Sequence, residues 1–163
     1  DTGLKFFDHM LEQFAKHGGF DITINCLGDL QIDQHHTIED VAIALGEAFK
    51  AAIGDRNTIE RYSSIETLVM DETISTVTID MASRTLLKMK TSDLREYVGD
   101  FPTEMFEHFF ISFINAVNFT CHINTKGTNT HHIVEATFKS FTRALKKALT
   151  KTKLDVASTK GLL

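Results

Sequence analysis

The sequence predicts an α+β domain, internally duplicated, in which two pseudo-symmetric helix-strand-strand-helix halves, about residues 1–81 and 82–163, pack their sheets on a helical layer. Three observations predict it. FDHMLEQFAKHGGFDITIN (7–25) matches FEHFFISFINAVNFTCHIN (106–124). HHTIE (35–39) and HHIVE (131–135) follow at corresponding places. In both halves the apolar spacing switches in the same order between the three-to-four period of a helix and the alternation of a strand.

Residues 4–17 read as a helix, with Phe6, Phe7, Met10, Leu11 and Phe14 on one face and Gly18-Gly19 closing it. FDITINCL (20–27) alternates like a half-buried strand, and a turn at Gly28-Asp29 leads into a short LQI strand, so a hairpin is expected. Ile38, Val41, Ala42, Leu45, Phe49 and Ile53 mark a long amphipathic helix over 35–53, ended by Gly54. TISTVTIDM (73–81) and TLLKMKT (85–91) read as strands around Ser83-Arg84. Pro102, the single proline, opens the next helix, to about 116. NFTCHIN (118–124), a turn at Gly127 and a final helix over 131–149 complete the second half. The chain opens only one turn before a core helix, and an upstream segment is expected.

At 163 residues with 42% hydrophobic and 24% charged side chains, the chain is long enough to bury one substantial core. A formal charge of −5 gives no overall attraction to phosphate backbones or anionic lipid, which argues against nucleic acid and membrane partners. No apolar run is long enough to span a bilayer and residues 1–20 do not read as a signal peptide, so the expected location is the cytoplasm. Cys26 and Cys121 sit in strand-like stretches without CxxC spacing and read as reduced thiols with no chemistry.

The duplication carries the chemistry. Each half supplies three histidines and a glutamate: His9, His35, His36 and Glu39, then His108, His131, His132 and Glu135. Helix residues four apart share a face while neighbours diverge by about 100°. His35 with Glu39, and His131 with Glu135, can therefore each hold one ion as His36 and His132 turn toward another, a two-metal arrangement. The bland reading is a solvated or capping HH pair, and a single copy would favour it. Two copies do not, because burying three imidazoles and a carboxylate per half without partners costs several kcal/mol. Imidazole and carboxylate suit Mn, Fe, Co or Zn over Ca or Mg, and the lack of thiolate argues against structural zinc. His17 and His122 have no histidine at the matching place and read as ordinary.

TGLKFFDHMLEQFAKHGGFD, GDLQIDQHHTIEDVAIALGEA, VGDFPTEMFEHFF, HHIVEATFKSFTRAL and STKGLL, in that order over essentially the whole chain, resemble the imidazoleglycerol-phosphate dehydratase family of histidine biosynthesis. The resemblance implies a lyase that dehydrates D-erythro-imidazole glycerol phosphate to imidazole acetol phosphate through a metal-stabilised imidazolate. It implies two manganese(II) ions per subunit, bound between adjacent subunits of a 24-subunit homo-oligomer. Carried over, one ion takes His9, His36, His131 and Glu135, and the other takes His35, Glu39, His108 and His132. His36, Glu39, His131 and Glu135 become catalytic residues, and Arg61, Arg84, Lys139, Ser158 and Lys160 hold the substrate phosphate with Gln13 near the diol. The resemblance also places strands and a proton-transferring glutamate upstream of Asp1. Gln34 stands where the family often has Asp, Ser83-Arg84-Thr85 where it has Gly then Arg-Pro, and Tyr97 at a commonly basic position, with Arg95 nearby.

Two other classes remain distinct from this enzyme. A metal-bridged assembly or storage module would need the histidines but no phosphate pocket. A metallohydrolase would need a general base beside the ions, and the sequence offers none.

Overall fold

The computed structural model describes residues 1–63, 65–152 and 156–161. Four helices, α1 (Lys5–Gly18), α2 (His35–Ile53), α3 (Glu104–Val117) and α4 (Thr130–Ala148), pack with a four-stranded sheet. The strands are β1 (Glu66–Met70), β2 (Thr73–Asp80), β3 (Leu86–Thr91) and β6 (Thr120–Lys126), in the order β1-β2-β6-β3. A two-stranded ribbon, β4 (Tyr97–Val98) and β5 (Phe101–Pro102), precedes α3. The periodicity of the sequence accounts for the helices. Phe6, Phe7, Met10, Leu11 and Phe14 of α1 are all buried, and the helix closes on Gly19 at φ 66°, a conformation that suits a residue without Cβ.

Alternation sets the sheet. Thr73, Ser75, Val77 and Ile79 of β2 and Cys121, Ile123 and Thr125 of β6 point inward. β2 runs antiparallel to β1 and β6, whereas β3 runs parallel to β6, with Met89 opposite Ile123. α4 lies across β1, β2 and β6 and buries Ile133, Val134, Phe138 and Phe141 there. Phe7, Phe14, Phe109, Phe110, Phe113 and Phe141 interlock at tilted or edge-on angles, each buried ring adding about 1.5–3 kcal/mol.

The helices pair crosswise between the repeats: α1 packs on α4, and α2 on α3. Gly46 makes the second contact possible, since a Cβ there would lie 2.6 Å from the Ala116 Cβ and 2.9 Å from the Phe113 carbonyl oxygen. This crossing brings side chains of different halves together.

Two expectations need correction. Residues 20–27 and 30–32 do not form a hairpin; the first segment is extended without a ladder, and Leu30 to Ile32 lie in a turn closed by Ile32 N–H donating to the Asp29 carbonyl at 2.8 Å. The alternation is real, with Phe20, Ile22, Ile24 and Cys26 half-buried and Asp21, Thr23 and Asn25 exposed. The matching segment in the second repeat, β6, is a strand because β2 and β3 flank it. No strands flank 20–27 among the described residues, and a groove of about 960 Å³ lies between it and α2. Among the described residues Asp1 bridges it in the parallel sense, donating to the Ile24 carbonyl at 2.8 Å and accepting from Cys26 N–H at 3.0 Å. β1 and the β4-β5 ribbon, conversely, were not expected. α3 begins at Glu104, because Pro102 is used in β5.

Candidate metal centre

The crossed helices build two clusters of the same composition. In the first, α1 contributes His9 and α4 contributes His131 and Glu135; in the second, α2 contributes His35 and Glu39 and α3 contributes His108. Ligand atoms within each cluster lie within 4.8 Å of one another. Glu135 Oε2 is 2.9 Å from His131 Nε2 and 3.5 Å from His9 Nε2. Glu39 lies 3.1 Å from His108 Nε2 through Oε1 and 3.7 Å from His35 Nε2 through Oε2. Ligands bound at about 2.1 Å on adjacent octahedral positions stand about 3 Å apart, so these donor triplets fit a divalent first-row ion with little movement. Local sequence fixes the aim. Asn129 caps α4 by accepting from His131 N–H at 2.9 Å, and the four-residue spacing then stacks His131 over Glu135.

Lys139, one further turn along, pairs with Glu135 Oε1 at 2.6 Å. Burial pushes the Glu135 carboxyl up, yet hydrogen bonds from Lys139 and His131 outweigh it and hold the group below the ordinary carboxylate range. Gln13 also reaches this cluster, 3.4 Å from His9 Nδ1, and bridges to His17 Nε2 at 3.2 Å. Burial, then the charge of Lys139, lowers His17 below the usual imidazole value.

His36 and His132 join neither cluster within one chain. His36 Nδ1 lies 2.8 Å from Asp29 Oδ2, and His132 Nδ1 lies 2.7 Å from Glu72 Oε2. The hydrogen bond it donates to Asp29 raises His36, and the one donated to Glu72 raises His132; the two carboxyls are held down in turn. Sequence reasoning missed both acids. Glu72 sits in the β1–β2 turn, 60 residues from its partner, and no local pattern announces it.

The remaining residues expected at the site gather elsewhere. Arg61, at φ 67°, donates from Nε to Asp80 Oδ1 at 2.8 Å and from Nη2 to Oδ2 at 3.2 Å, with Nη1 on the Ala157 carbonyl. Arg84 is exposed near Asp80, and the Ser158 hydroxyl accepts from Lys160 N–H at 3.2 Å. This group stands at the Asp80 end of β2, whereas Glu72 and His132 stand at the Thr73 end, roughly 23 Å away along the strand. Of the five basic or hydroxyl residues expected to hold phosphate, only Lys139 lies beside a cluster.

Among the described residues no helix is long and apolar enough to cross a membrane. The family model for imidazoleglycerol-phosphate dehydratase matches residues 2–145. The chain is 50% identical over 163 residues to a histidine biosynthesis bifunctional protein of Legionella pneumophila, covering 100% of this chain and 46% of that protein. It thus spans about half the length of such bifunctional relatives. It is 46% identical over 170 residues to an imidazoleglycerol-phosphate dehydratase of Pseudomonas syringae, covering 100% of this chain and 84% of the relative. The crystal structure of imidazoleglycerol-phosphate dehydratase from Staphylococcus aureus superposes with a TM-score of 0.86 at 39% identity, over 93% of this chain and 86% of that one. The enzyme of the same name from Pyrococcus furiosus, solved with (S)-C348, gives 0.79 at 28% identity, over 98% and 87%.

Proposed function

The chain belongs to the imidazoleglycerol-phosphate dehydratase family, and from that premise we propose that it dehydrates D-erythro-imidazole glycerol phosphate to imidazole acetol phosphate in histidine biosynthesis, as a cytoplasmic lyase using two manganese(II) ions per subunit. One observation carries the reading: the crossed helices assemble two separate triplets of two imidazoles and one carboxylate. His9, His131 and Glu135 would hold one ion and His35, Glu39 and His108 the other. His36 and His132 would complete the sets from neighbouring copies. When bound, such ions supply Lewis acidity toward the imidazole ring and the diol, easing loss of a weakly acidic C–H proton and of a poor leaving group.

The chain's own groups do the remainder. Glu39 and Glu135 present carboxylate oxygens inside the clusters, and Lys139 keeps Glu135 ionised. Gln13 reaches the first cluster from α1, where its amide can meet a substrate hydroxyl. Arg61, Arg84, Ser158 and Lys160 supply the phosphate-holding set. Arg61, Arg84 and Ser158 gather at the Asp80 end of β2 while the His132–Glu72 pair stands at its Thr73 end, which supports a site shared between subunits and hence a homo-oligomer, 24 subunits in the family's shell. We treat residues 1–163 as one domain of two repeats within it.

The test is product formation from the triol phosphate by the full protein, abolished by a chelator and restored by manganese, with particle mass measured alongside. Activity indifferent to chelation overturns the reading. So does a monomer that keeps both metals and full turnover.

A further inference from the structure

The two imidazoles that stand outside the clusters share an arrangement the proposed reaction does not itself require. Each uses Nδ1 toward a carboxylate, Asp29 for His36 and Glu72 for His132. We propose that Asp29 and Glu72 are positioning residues, each fixing the ring and tautomer of its histidine so that Nε2 is presented as the ligand completing a divalent-cation site with another copy of the chain. The proposal rests on the metal reading above.

A carboxylate accepts but does not donate, so the neutral imidazole beside it keeps its proton on Nδ1 and its lone pair on Nε2. A histidine metal ligand is commonly oriented in this way by its other nitrogen. The four histidines inside the clusters likewise turn Nε2 toward the cluster carboxylates, so all six would meet cations through the same atom. The two acids come from unrelated places: Asp29 from the turn before α2, Glu72 from the hairpin between β1 and β2. The repeat therefore carries the histidines, while the same Nδ1 contact is reached by two different routes.

Glu72 is itself held. Its Oε1 accepts from Thr73 Oγ1 at 2.9 Å, Asn129 N–H at 2.8 Å and Thr128 N–H at 3.3 Å, leaving Oε2 for the imidazole. It is thereby locked to the start of α4, the helix that carries His132. Asp71 Oδ2, 3.9 Å from His132 Nε2, is the nearest acid on the outward side. A solvated surface pair would need neither this anchoring nor a constant choice of ring nitrogen.

Histidine nitrogen NMR on the chelated protein, with manganese titrations on the full chain, tests the assignment. In the parent protein neutral His36 and His132 are expected to carry the proton on Nδ1. In Asp29→Ala only His36 should move toward Nε2–H, and in Glu72→Ala only His132. Each variant should lose about 10- to 100-fold in manganese affinity at one site, with the other unchanged. Asp29→Glu and Glu72→Asp should recover part of that loss. Tautomers that do not move, or two sites of unaltered affinity in the variants, overturn the proposal alone. A parent protein that takes up no manganese sinks it together with the proposed function. Should Glu72→Ala melt early through its lost Thr128 and Asn129 contacts, Asp29→Ala, in an exposed turn, decides the outcome.

Discussion

HHIVE and HHTIE are near-copies in sequence, yet the helices that carry them rest on different ground. α4 lies on β1, β2 and β6, and its Glu135 side chain is 8% exposed; α2 faces the groove beside the unladdered 20–27 segment, and its Glu39 side chain is 35% exposed. The turn beyond each carboxylate differs as well. Lys139 pairs with Glu135, whereas Ile43 holds the matching place beyond Glu39. The His/Glu triplets match between the two halves while their surroundings differ, so two clusters of one composition differ in solvation and local charge.

The largest test of that difference exchanges the carboxylates. Glu135→Gln and Glu39→Gln should each cut dehydration on the order of a thousandfold, because each removes a charged ligand. Their metal-free stabilities should part. Glu135→Gln leaves Lys139 facing a neutral amide in a mostly buried pair and should cost about 1–2 kcal/mol after allowing for partial exposure. Glu39→Gln, at a side chain 35% exposed, should stay within about 0.5 kcal/mol. Equal melting points for the two variants would erase the distinction.

A second test attacks the helix pair beneath the more exposed cluster. Gly46→Ala would place a methyl 2.6 Å from the Ala116 Cβ and 2.9 Å from the Phe113 carbonyl oxygen, forcing α2 from α3. Overpacking of this kind costs about 1–3 kcal/mol, read as a lower Tm, and manganese should be lost from the His35, Glu39 and His108 cluster before the other. Loss at the His131 cluster instead would show that the two helix pairs are not separable.

The third test concerns what anchors α4 to the sheet. Glu66, 3% exposed at the start of β1, is paired with Arg143 and Lys147 of α4. Burial pushes its carboxyl up, but hydrogen bonds from Lys147 and Arg143 win, and the folded-state value lies below the ordinary one. The unfolded chain therefore binds the proton more readily. Stability from this group is present above the unfolded carboxyl value, near pH 4.5, and is lost as pH falls through the lower folded value. Chelated protein should show that acid limb in its unfolding free energy. Glu66→Gln should flatten it and cost about 1–2 kcal/mol at neutral pH. An unaltered limb would assign it to another carboxylate.

What the sequence made legible follows the same asymmetry. The helices could be read because Phe7, Met10, Leu11 and Phe14, or Ile133, Phe138 and Phe141, repeat with the period of one buried face. The His/Glu pairs could be read because four residues return to the same side of a helix. The crossing of α1 onto α4 and α2 onto α3 was not legible, since it depends on a close approach such as that at Gly46 rather than on a local pattern. Residues 20–27 misled because alternation records which face is apolar, not whether a neighbouring strand exists to accept the ladder. β1 was hidden for the opposite reason: its inward Glu66 breaks the apolar alternation, and only the distant Arg143 and Lys147 explain its burial.

The smallest effect expected is also the most direct probe of the comparison. Ile43→Lys would give α2 the ammonium that α4 has at Lys139, on a position already 36% exposed, so the fold should tolerate it. A glutamate followed four residues later by lysine adds about 0.3–0.5 kcal/mol to a helix, and the metal-free protein should be marginally more stable. The same ammonium would compete with a cation for Glu39, and manganese affinity at that cluster should fall about two- to five-fold, the difference shrinking in high salt. If titration shows the affinity unchanged while Lys139→Met tightens the other cluster, the lysine distinguishes the two sites only where the carboxylate is buried, and solvation rather than local charge governs the more exposed one.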